Sequence, residues 1–565
     1  MEQHTYLRLY VVLGVLFLLS FLYFFLGSRV EIYLYDEGLL VYGATRILDG
    51  DIPYRDFRAI YAPGQFYLLA SAFKIFGTSI MVGRILGIII QSFLGLCVFL
   101  LSRKLVPHKF ALISWILYLL GMYGFMGSPV PVTTMPAQLF ALLSCLCLTN
   151  YLFTERDGRN GLFWAGILAG IATLFRHDLG FYTFISGLLA VFTFTYKIFD
   201  KPQKAIKKRI VSSLGALLRY SAGTGVILLP VCIFFISVCP IDVLISDLIE
   251  FPIKIYPKVR SLPFPLITPI HHLSGLQFNL LLYIYYSLYI MTFYIPIAIL
   301  VATAIQLISR MRRGFRITDK EWLVMLCLLM GVTLFNYVRV RPDPEHLTPF
   351  FIITTVVFPW FFHGVARKDG PKISRKYNGS AWIVAFVLAV LLVSFPVIKK
   401  VHKTTALVAG KFVSLKLERA YDIYDGGIFI LPIRDAIDYI KRYVPPGEKI
   451  FVGNARHDKI FFNDIMFYFL SNRHSATRYY HFDPGVQTTR AVQQKMIIEI
   501  KENTVNYIVL WGIPQPQEPN ESSKSSGVYD LDIFIYRNYE AVEQFGPYLM
   551  LRRISNHEIT RIKPR

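Results

Sequence analysis

Two adjacent carboxylates follow the first apolar segment of the chain and could carry out acid–base chemistry. They are Asp36 and Glu37, within the sequence Tyr-Asp-Glu-Gly. A carboxylate held next to a hydroxyl can accept its proton as that hydroxyl attacks, so this pair is a candidate catalytic site. The alternative interpretation is a solvated turn in which Asp36 caps an ordinary helix.

Two segments after these carboxylates could position them. Residues 38–48 and 64–76 have apolar side chains at helical spacing, with polar ones between. This pattern predicts two amphipathic helices that lie flat on the membrane interface. Such helices would hold Asp36 and Glu37 over a cavity.

Charged clusters at two later connections between apolar segments could contribute to the same site. The first is Arg176-His177-Asp178, and the second, residues 339–346, contains two arginines and a histidine. Ionisable groups at such positions often line polar sites, and a guanidinium can hold a phosphate through two parallel hydrogen bonds. The alternatives are interfacial snorkelling of the first cluster and a surface Arg–Asp pair in the second.

Metal ligands are sparse in the sequence. His271 and His272 lie in a basic, proline-broken loop (242–272), but no carboxylate or cysteine stands at ligand spacing. This favours two polar residues at the membrane interface over a metal site. The six cysteines lie in or at the edges of apolar segments, and this indicates neither a disulfide framework nor a cysteine metal site. We expect the loop 242–272 itself to cover the membrane face of the site.

The composition indicates a membrane protein. Of the 565 residues, 54% are apolar and only 17% are charged, whereas about a quarter are charged in soluble domains. The net charge of +22 would suggest nucleic-acid binding in a soluble protein, but the basic residues fall between the apolar runs. They therefore indicate topology, and we expect no nucleic-acid partner.

The apolar runs predict a polytopic α-helical protein with about eleven transmembrane helices, each long enough to cross the bilayer. They begin near residues 7, 79, 110, 136, 161, 178, 214, 276, 321, 347 and 378. Lysine and arginine clusters fall on alternate connections, which predicts an inner-membrane protein with a cytoplasmic N-terminus. With an odd number of spans, the long first loop (28–78) and the C-terminal tail share the extracytoplasmic side.

The chain is thus predicted to have two domains. Residues 1–399 form the transmembrane domain, including the first loop, and residues 400–565 form an extracytoplasmic α/β domain. Within the tail we predict a helix at 432–444, strands at 449–453, 477–482 and 506–511 in a mainly parallel sheet, and a flexible loop at 515–526.

Several features together resemble the class C (GT-C) membrane glycosyltransferases. They are the Asp36-Glu37 pair in a long first outer loop, the Gly-Asp-x-Pro element at Gly50 to Pro53, two loop helices and a later outer turn with arginines. The resemblance is to the branch that contains the protein O-mannosyltransferases and the bacterial lipid A aminoarabinose and galacturonic acid transferases. It implies transfer of a sugar from a polyprenyl-phosphate carrier to a lipid, glycan or protein hydroxyl at the outer membrane surface.

The resemblance also assigns roles to residues. In this family the first acid of the Asp-Glu motif orients or deprotonates the acceptor, a role that passes to Asp36, with Glu37 as its supporting neighbour. Relatives that act on lipid A carry a Lys-Pro element facing the donor phosphate, and this chain has Ala62-Pro63 there instead. The substitutes that we propose for binding the donor phosphate are Arg58, Arg176, Arg339, Arg341 and His346, with His177 and Asp178 lining the site. Some relatives use a divalent metal, which Asp36 would bind, although no ligand set in the sequence requires a cofactor.

A transporter or flippase for lipid-linked sugars is the alternative function, since it would also combine many helices with basic residues. Such proteins more often have repeated halves and interrupted helices near the midplane. No repeat is evident, and the ionisable clusters lie at one face, which favours the transferase. The sequence leaves open the sugar (hexose or pentose), the acceptor, the metal requirement and the oligomeric state.

Overall fold

The computed structural model describes residues 2–126, 132–153, 159–198, 206–266, 280–313, 317–365, 378–426 and 430–554. Helices make up most of the chain as far as Val408. In chain order they are α1 (Glu2–Phe25), α2 (Asp36–Leu48), α3 (Gly64–Phe76), α4 (Ile80–Leu105), α5 (His108–Met126), α6 (Thr134–Phe153), α7 (Arg159–Phe175), α8 (His177–Ile198), α9 (Ile206–Val238), α10 (Ile241–Ile245), a π-helical segment (Ser246–Ile255), α11 (Tyr256–Val259), α12 (Leu280–Arg312), α13 (Asp319–Val340), α14 (Pro344–Val365) and α15 (Asn378–Val408).

All eleven predicted spans coincide with helices of this set. Within the described residues, eight helices are long and apolar enough to cross a membrane: α1, α4, α8, α9, α12, α13, α14 and α15. Shorter apolar segments lie in α5 and α7, at His108–Met122 and Asn160–Phe175, and α6 is an uncharged helix of 20 residues. The prediction of a polytopic helical membrane protein is confirmed, and α2 and α3 are the two predicted helices of the first loop.

Helices α7 and α9 approach each other closely because glycines line their contact. A Cβ atom on Gly166 would lie 2.0 Å from the carbonyl oxygen of Tyr220, and one on Gly223 would lie 2.1 Å from that of Phe163. Close packing of small residues is what stabilises helix pairs in lipid, where the hydrophobic effect does not act between them. This contact fixes the end of α7, which leads directly into Arg176.

The tail folds as a mixed α/β unit. Its elements are β1 (Val413–Ser414), β2 (Tyr424–Asp425), α16 (Ile430–Tyr443), β3 (Lys449–Asn454), α17 (Met466–Ser471), β4 (His474–Ser475), α18 (Arg490–Glu502), β5 (Tyr507–Trp511), α19 (Asp530–Asn538), β6 (Tyr539–Phe545) and β7 (Tyr548–Arg553). The predicted helix at 432–444 and the predicted strands at 449–453 and 506–511 correspond to α16, β3 and β5.

The main sheet has the strand order β4-β3-β5-β7-β6. Strand β3 pairs in parallel with β4 and β5, whereas β7 pairs antiparallel with β5 and β6. The prediction of a mainly parallel sheet is therefore wrong, because the C-terminal hairpin β6–β7 adds antiparallel pairs. The strand predicted at 477–482 is also wrong, since these residues bury their aromatic side chains in an irregular path that forms no ladder.

The first loop and the tail share one hydrophobic core. Leu39 and Phe66 of the loop belong to the same buried cluster as Met466 and Tyr480 of the tail. Backbone hydrogen bonds join the two regions as well, from the Glu31 amide to the Tyr424 carbonyl at 2.8 Å and from the Tyr424 amide to the Arg29 carbonyl at 2.8 Å. The loop and the tail therefore lie on one side of the molecule, as predicted, while the division at residue 400 stays a prediction.

Candidate active site

Asp36 is the first residue of α2, at the point where the chain turns out of the α1 region. Its side chain is accessible to solvent, yet protein atoms surround it on several sides. Asp36 therefore lies in a cleft. The glycine two positions later is required by the tail, because a Cβ atom on Gly38 would lie 2.6 Å from the amide nitrogen of Met466. The Asp-Glu-Gly sequence thus brings the tail backbone directly against the start of α2.

Glu37 faces away from the cleft into the membrane domain. It is fully buried and forms a bidentate ion pair with Arg84 of α4, with both N–O distances at 2.7 Å. Arg84 also donates to the carbonyl oxygens of Ser28 and Glu31, each at 2.6 Å. The pair therefore fixes the backbone on either side of Asp36, and the supporting role of Glu37 stays a prediction that this geometry favours.

Tyr35 is anchored in the opposite direction, to the tail. Its hydroxyl donates a hydrogen bond of 2.9 Å to the Asp483 carboxylate, which also accepts one of 2.6 Å from Arg58. Burial is the largest single influence and would raise the pKa of Asp483, but Arg58, His481 and Arg260 together outweigh it and lower that pKa to about 2. The residue before Asp36 is thus tied to an ionised carboxylate of the tail.

Several charged groups face Asp36 across the cleft. Desolvation by the surrounding protein raises the pKa of the Asp36 carboxyl, while the positive charge of Arg260 is the largest influence opposing that rise. Asp343 adds to the rise, and His346 and Arg341 oppose it. A carboxyl with a raised pKa is a stronger base when ionised, which suits proton abstraction near neutral pH.

Arg176 lies beside this cleft and keeps part of its guanidinium accessible, with 16% of the side chain exposed. It pairs with Asp178 at 3.0 Å and stacks over the rings of Tyr61 and Tyr337. Burial and the Asp36 charge raise the pKa of Tyr61 to about 12, so its hydroxyl remains a hydrogen-bond donor at neutral pH. His177 is half-buried, and its Nδ1 atom has no hydrogen-bond partner in the part of the chain that the structure describes.

Two of the predicted phosphate-binding arginines are committed to the tail. Arg58 is only 1% exposed and bonds to Asp483, and Arg341 forms a bidentate pair with Glu518 at 2.7 and 2.9 Å. The remaining Nε atom of Arg341 pairs with Asp343 at 2.7 Å. Both arginines are thus held by carboxylates of the tail, and their assignment to the donor phosphate stays a prediction. Glu518 lies in the segment 515–526 that was expected to be a flexible loop.

His346 is also held by protein partners. Its Nδ1 lies 2.7 Å from Asp343 and its Nε2 lies 3.0 Å from the hydroxyl of Tyr256, while its ring stacks on Tyr337. The structure therefore gives His346 a place in an Asp–His–Tyr hydrogen-bond chain at the edge of the cleft. Arg339, by contrast, is exposed and donates to the Asn336 side chain at 3.1 Å.

Three residues near Asp36 that the sequence reasoning missed belong to this cleft. Arg260 directly follows α11 within the covering loop and acts on Asp36, as does Glu345, while Lys399 interacts electrostatically with Glu345. Arg260 lies in the basic segment of the loop expected to cover the site, which was the available signal. The charge pattern alone does not indicate Lys399, because it lies within α15, a helix predicted as a membrane span.

The divalent metal at Asp36 stays a prediction. Among the described residues, no three or more His, Cys, Asp and Glu side chains are grouped so as to hold a metal ion. His271 and His272 lie outside those residues. Asp36 and Glu345 are the accessible carboxylates that would supply ligands.

A family model and two solved structures resemble the chain. Residues 61–222 match the family described as dolichyl-phosphate-mannose-protein mannosyltransferase. ArnT from Cupriavidus metallidurans, solved bound to undecaprenyl phosphate, has a TM-score of 0.53 at 12% identity, over 98% of this chain and 99% of that one. The oligosaccharyltransferase AglB from Archaeoglobus fulgidus, solved with an inhibitory peptide and a dolichol-phosphate, has a TM-score of 0.52 at 12% identity, over 88% of this chain and 69% of that one.

No curated protein sequence matches the chain. The solved structures share little sequence with it, so what they establish is the arrangement of helices and tail. The resemblance noted in the sequence is confirmed at that level. Residues 61–222 match the protein mannosyltransferase family model, and the chain as a whole has the fold seen in ArnT and AglB.

Proposed function

We propose that this protein transfers a sugar from a polyprenyl-phosphate carrier to an acceptor hydroxyl at the extracytoplasmic face of the cell membrane. The observation that carries the proposal is the accessible carboxylate of Asp36 in a cleft edged by arginines. The relatives support the choice of donor, because one was solved with undecaprenyl phosphate and another with a dolichol-phosphate. The fold favours this function over a flippase for lipid-linked sugars.

In the proposed reaction, the acceptor oxygen attacks the anomeric carbon of the sugar. The bond between that carbon and the phosphate oxygen breaks, the acceptor proton passes to Asp36, and the polyprenyl phosphate leaves with the bonding electrons. The departing phosphate gains negative charge, which fixed cationic groups stabilise in a site with little water. Holding acceptor and donor in line lowers the barrier further.

The arrangement of the arginines refines the assignment of the phosphate contact. Arg176 and Arg339 keep accessible guanidinium groups, and Tyr182 lies near both and bonds to Asn336 beside Arg339. We assign the phosphate to these two arginines, with Lys399, which interacts electrostatically with Glu345, as a third cation. Arg58 and Arg341 hold the tail in place.

Sugar transfer by membranes carrying the wild type or Asp36→Asn tests this function. The assay uses a panel of radiolabelled polyprenyl-phosphate sugars at matched protein levels, and the active donor identifies the sugar. We expect Asp36→Asn to reduce transfer by about 100-fold or more, since a positioned general base contributes 10²–10⁴-fold. Only ionised Asp36 accepts the proton, so the transfer rate of the wild type should decline as the pH is lowered. Because the pKa of Asp36 is raised, this decline should occur at a higher pH than it would for an ordinary aspartate.

The matched control is Asp435→Asn, which removes an exposed carboxylate of α16 whose contact to Arg434 is a surface pair of 3.4 Å. It should transfer at the wild-type rate. Equal labelling by wild type and Asp36→Asn would rule out Asp36 as the base. Labelled carrier lipid that crosses the bilayer without any transfer would favour the flippase instead.

A further inference from the structure

Asp36 lies between two neighbours that are anchored in different domains. Glu37 is bound by Arg84 of the membrane domain, and Tyr35 is bound by Asp483 of the tail. The tail carboxylate is 3% exposed, so its interactions are shielded from water. A residue 448 positions later in the chain therefore determines where the side chain next to Asp36 lies.

Asp483 also reaches the cation that acts most strongly on Asp36. Its Oδ1 atom lies 3.5 Å from the Nη2 atom of Arg260, and the same Nη2 donates a hydrogen bond of 2.7 Å to the carbonyl oxygen of Phe461 in the tail. The Arg260 guanidinium further packs over the Phe461 ring, 4.2 Å from its centroid. Both the orientation and the counter-charge of Arg260 thus come from the tail.

The loop that carries Asp483 is itself held firmly. The backbone amide of Asp483 donates to the Gln487 side chain at 2.7 Å, and the amide group of Gln487 donates to the His481 carbonyl at 2.9 Å. The neighbouring amide of Phe482 is bound by Asn463 at 2.9 Å. Because these backbone groups are paired inside the tail, the carboxylate presents a fixed geometry to the first loop.

We propose that Asp483 is a positioning residue for glycosyl transfer, through which the tail sets both the start of α2 at Tyr35 and the place of Arg260 above Asp36. The proposal rests on the proposed function. It makes the tail a structural part of the active site and not only a region that binds the acceptor. Asp483 itself touches neither the sugar nor the phosphate.

The proposal predicts a specific change in pH dependence. Asp483→Asn removes the negative charge that helps to hold Arg260 in place, so Arg260 moves away from Asp36. The titratable and charged groups that face Asp36 are Arg260, Asp343, His346, Arg341, Tyr61 and Glu345. Because Arg260 is the largest influence that opposes the rise in the Asp36 pKa, its displacement raises that pKa further, and the acid limb of kcat/KM moves to higher pH.

The experiment compares full-length wild type, Asp483→Asn, Tyr35→Phe and the double variant, with the donor identified in the transfer assay. We expect Asp483→Asn to lower kcat on the order of 100-fold, as displacement of a site by about 1 Å can do. Tyr35→Phe loses one hydrogen bond and should lower kcat by up to about tenfold, with KM unchanged. The double variant should lose less than the product of the two, since both break one contact.

The control for the tail is Asp532→Asn, which removes a carboxylate paired with His457 inside the tail at 2.8 Å. It should leave the acid limb where it is. The proposal is overturned if Asp483→Asn folds and keeps the wild-type acid limb, or if the two single losses multiply. Should Asp483→Asn fail to fold, a wild-type kcat in Tyr35→Phe overturns it. Absence of transfer in the wild type would instead contradict the proposed function.

Discussion

The two anchors of the Asp36 turn differ in design. On the membrane side, Arg84 pairs with Glu37, and both side chains are fully buried. The other N–H groups of Arg84 donate to backbone carbonyls of the first loop. On the tail side, one carboxylate collects donors from Tyr35, Arg58 and Arg260, which come from three separate segments. The first anchor fixes the path of the backbone, whereas the second gathers separate parts of the site around one charge.

Breaking the membrane anchor should have the largest effect on stability. Arg84→Ala leaves Glu37 as a buried carboxylate without a counter-ion, and removing one partner of such a pair costs about 3–5 kcal/mol. We expect a marked fall in the thermal unfolding midpoint of the purified protein and loss of most folded material. The double variant Arg84→Met with Glu37→Leu should recover much of that loss, because the uncompensated charge is gone. A single Arg84→Ala with a wild-type midpoint would contradict the burial of this pair.

Inserting one methyl group between the tail and α2, by Gly38→Ala, should have an intermediate effect on stability. Gly38→Ala would place its Cβ atom 2.6 Å from the Met466 amide nitrogen, so one of the two backbones must shift. Overpacking of this kind costs about 1–3 kcal/mol. We expect a lower unfolding midpoint together with reduced transfer, while Gly215→Ala, at a helical site with open space around it, should change neither. Equal behaviour of the two variants would argue against close contact between tail and α2.

Weakening the ion pair between Arg341 and Glu518 of the tail should have the smallest effect on stability. Glu518→Gln keeps an acceptor for Arg341 but loses the charge of a bidentate pair, and both side chains are largely buried. The expected cost is about 1 kcal/mol, the net contribution of a typical intramolecular hydrogen bond, because the amide oxygen of the substituted side chain would still accept from Arg341. Limited proteolysis should cut the segment 515–526 faster than in the wild type, whereas transfer should change little. A large loss of transfer would mean that Arg341 also serves the chemistry.

The sequence predicts the helices of this protein well because the bilayer imposes a length and an apolar composition on each span. It also draws attention to Asp36, because two adjacent carboxylates follow a span directly, and the catalytic role of Asp36 stays a prediction. The partners of Arg58 and Arg341 could not be predicted in this way. They are carboxylates 425 and 177 residues away, and a basic residue at a helix end looks the same whether it binds a phosphate or an aspartate.

The tail was the least predictable part for a related reason. Residues 477–482 have the aromatic and β-branched composition of a strand, yet side-chain amides of Asn463 and Gln487 satisfy the backbone there and take the place of a neighbouring strand. The hairpin β6–β7 alternates buried and exposed positions over charged residues, which is a weak signal next to the apolar runs. Its existence depends on pairing with β5, a contact that the local sequence does not contain.

The common core of the first loop and the tail has a consequence for biosynthesis. Leu39 and Phe66 leave the ribosome early, but the tail side chains that cover them, such as Met466 and Tyr480, are made about 400 residues later. At a translation rate of roughly 5–20 residues per second, these loop side chains stay without their tail partners for on the order of 20–80 s. The surroundings of Asp36 are therefore completed only after the tail residues of this shared core have been made.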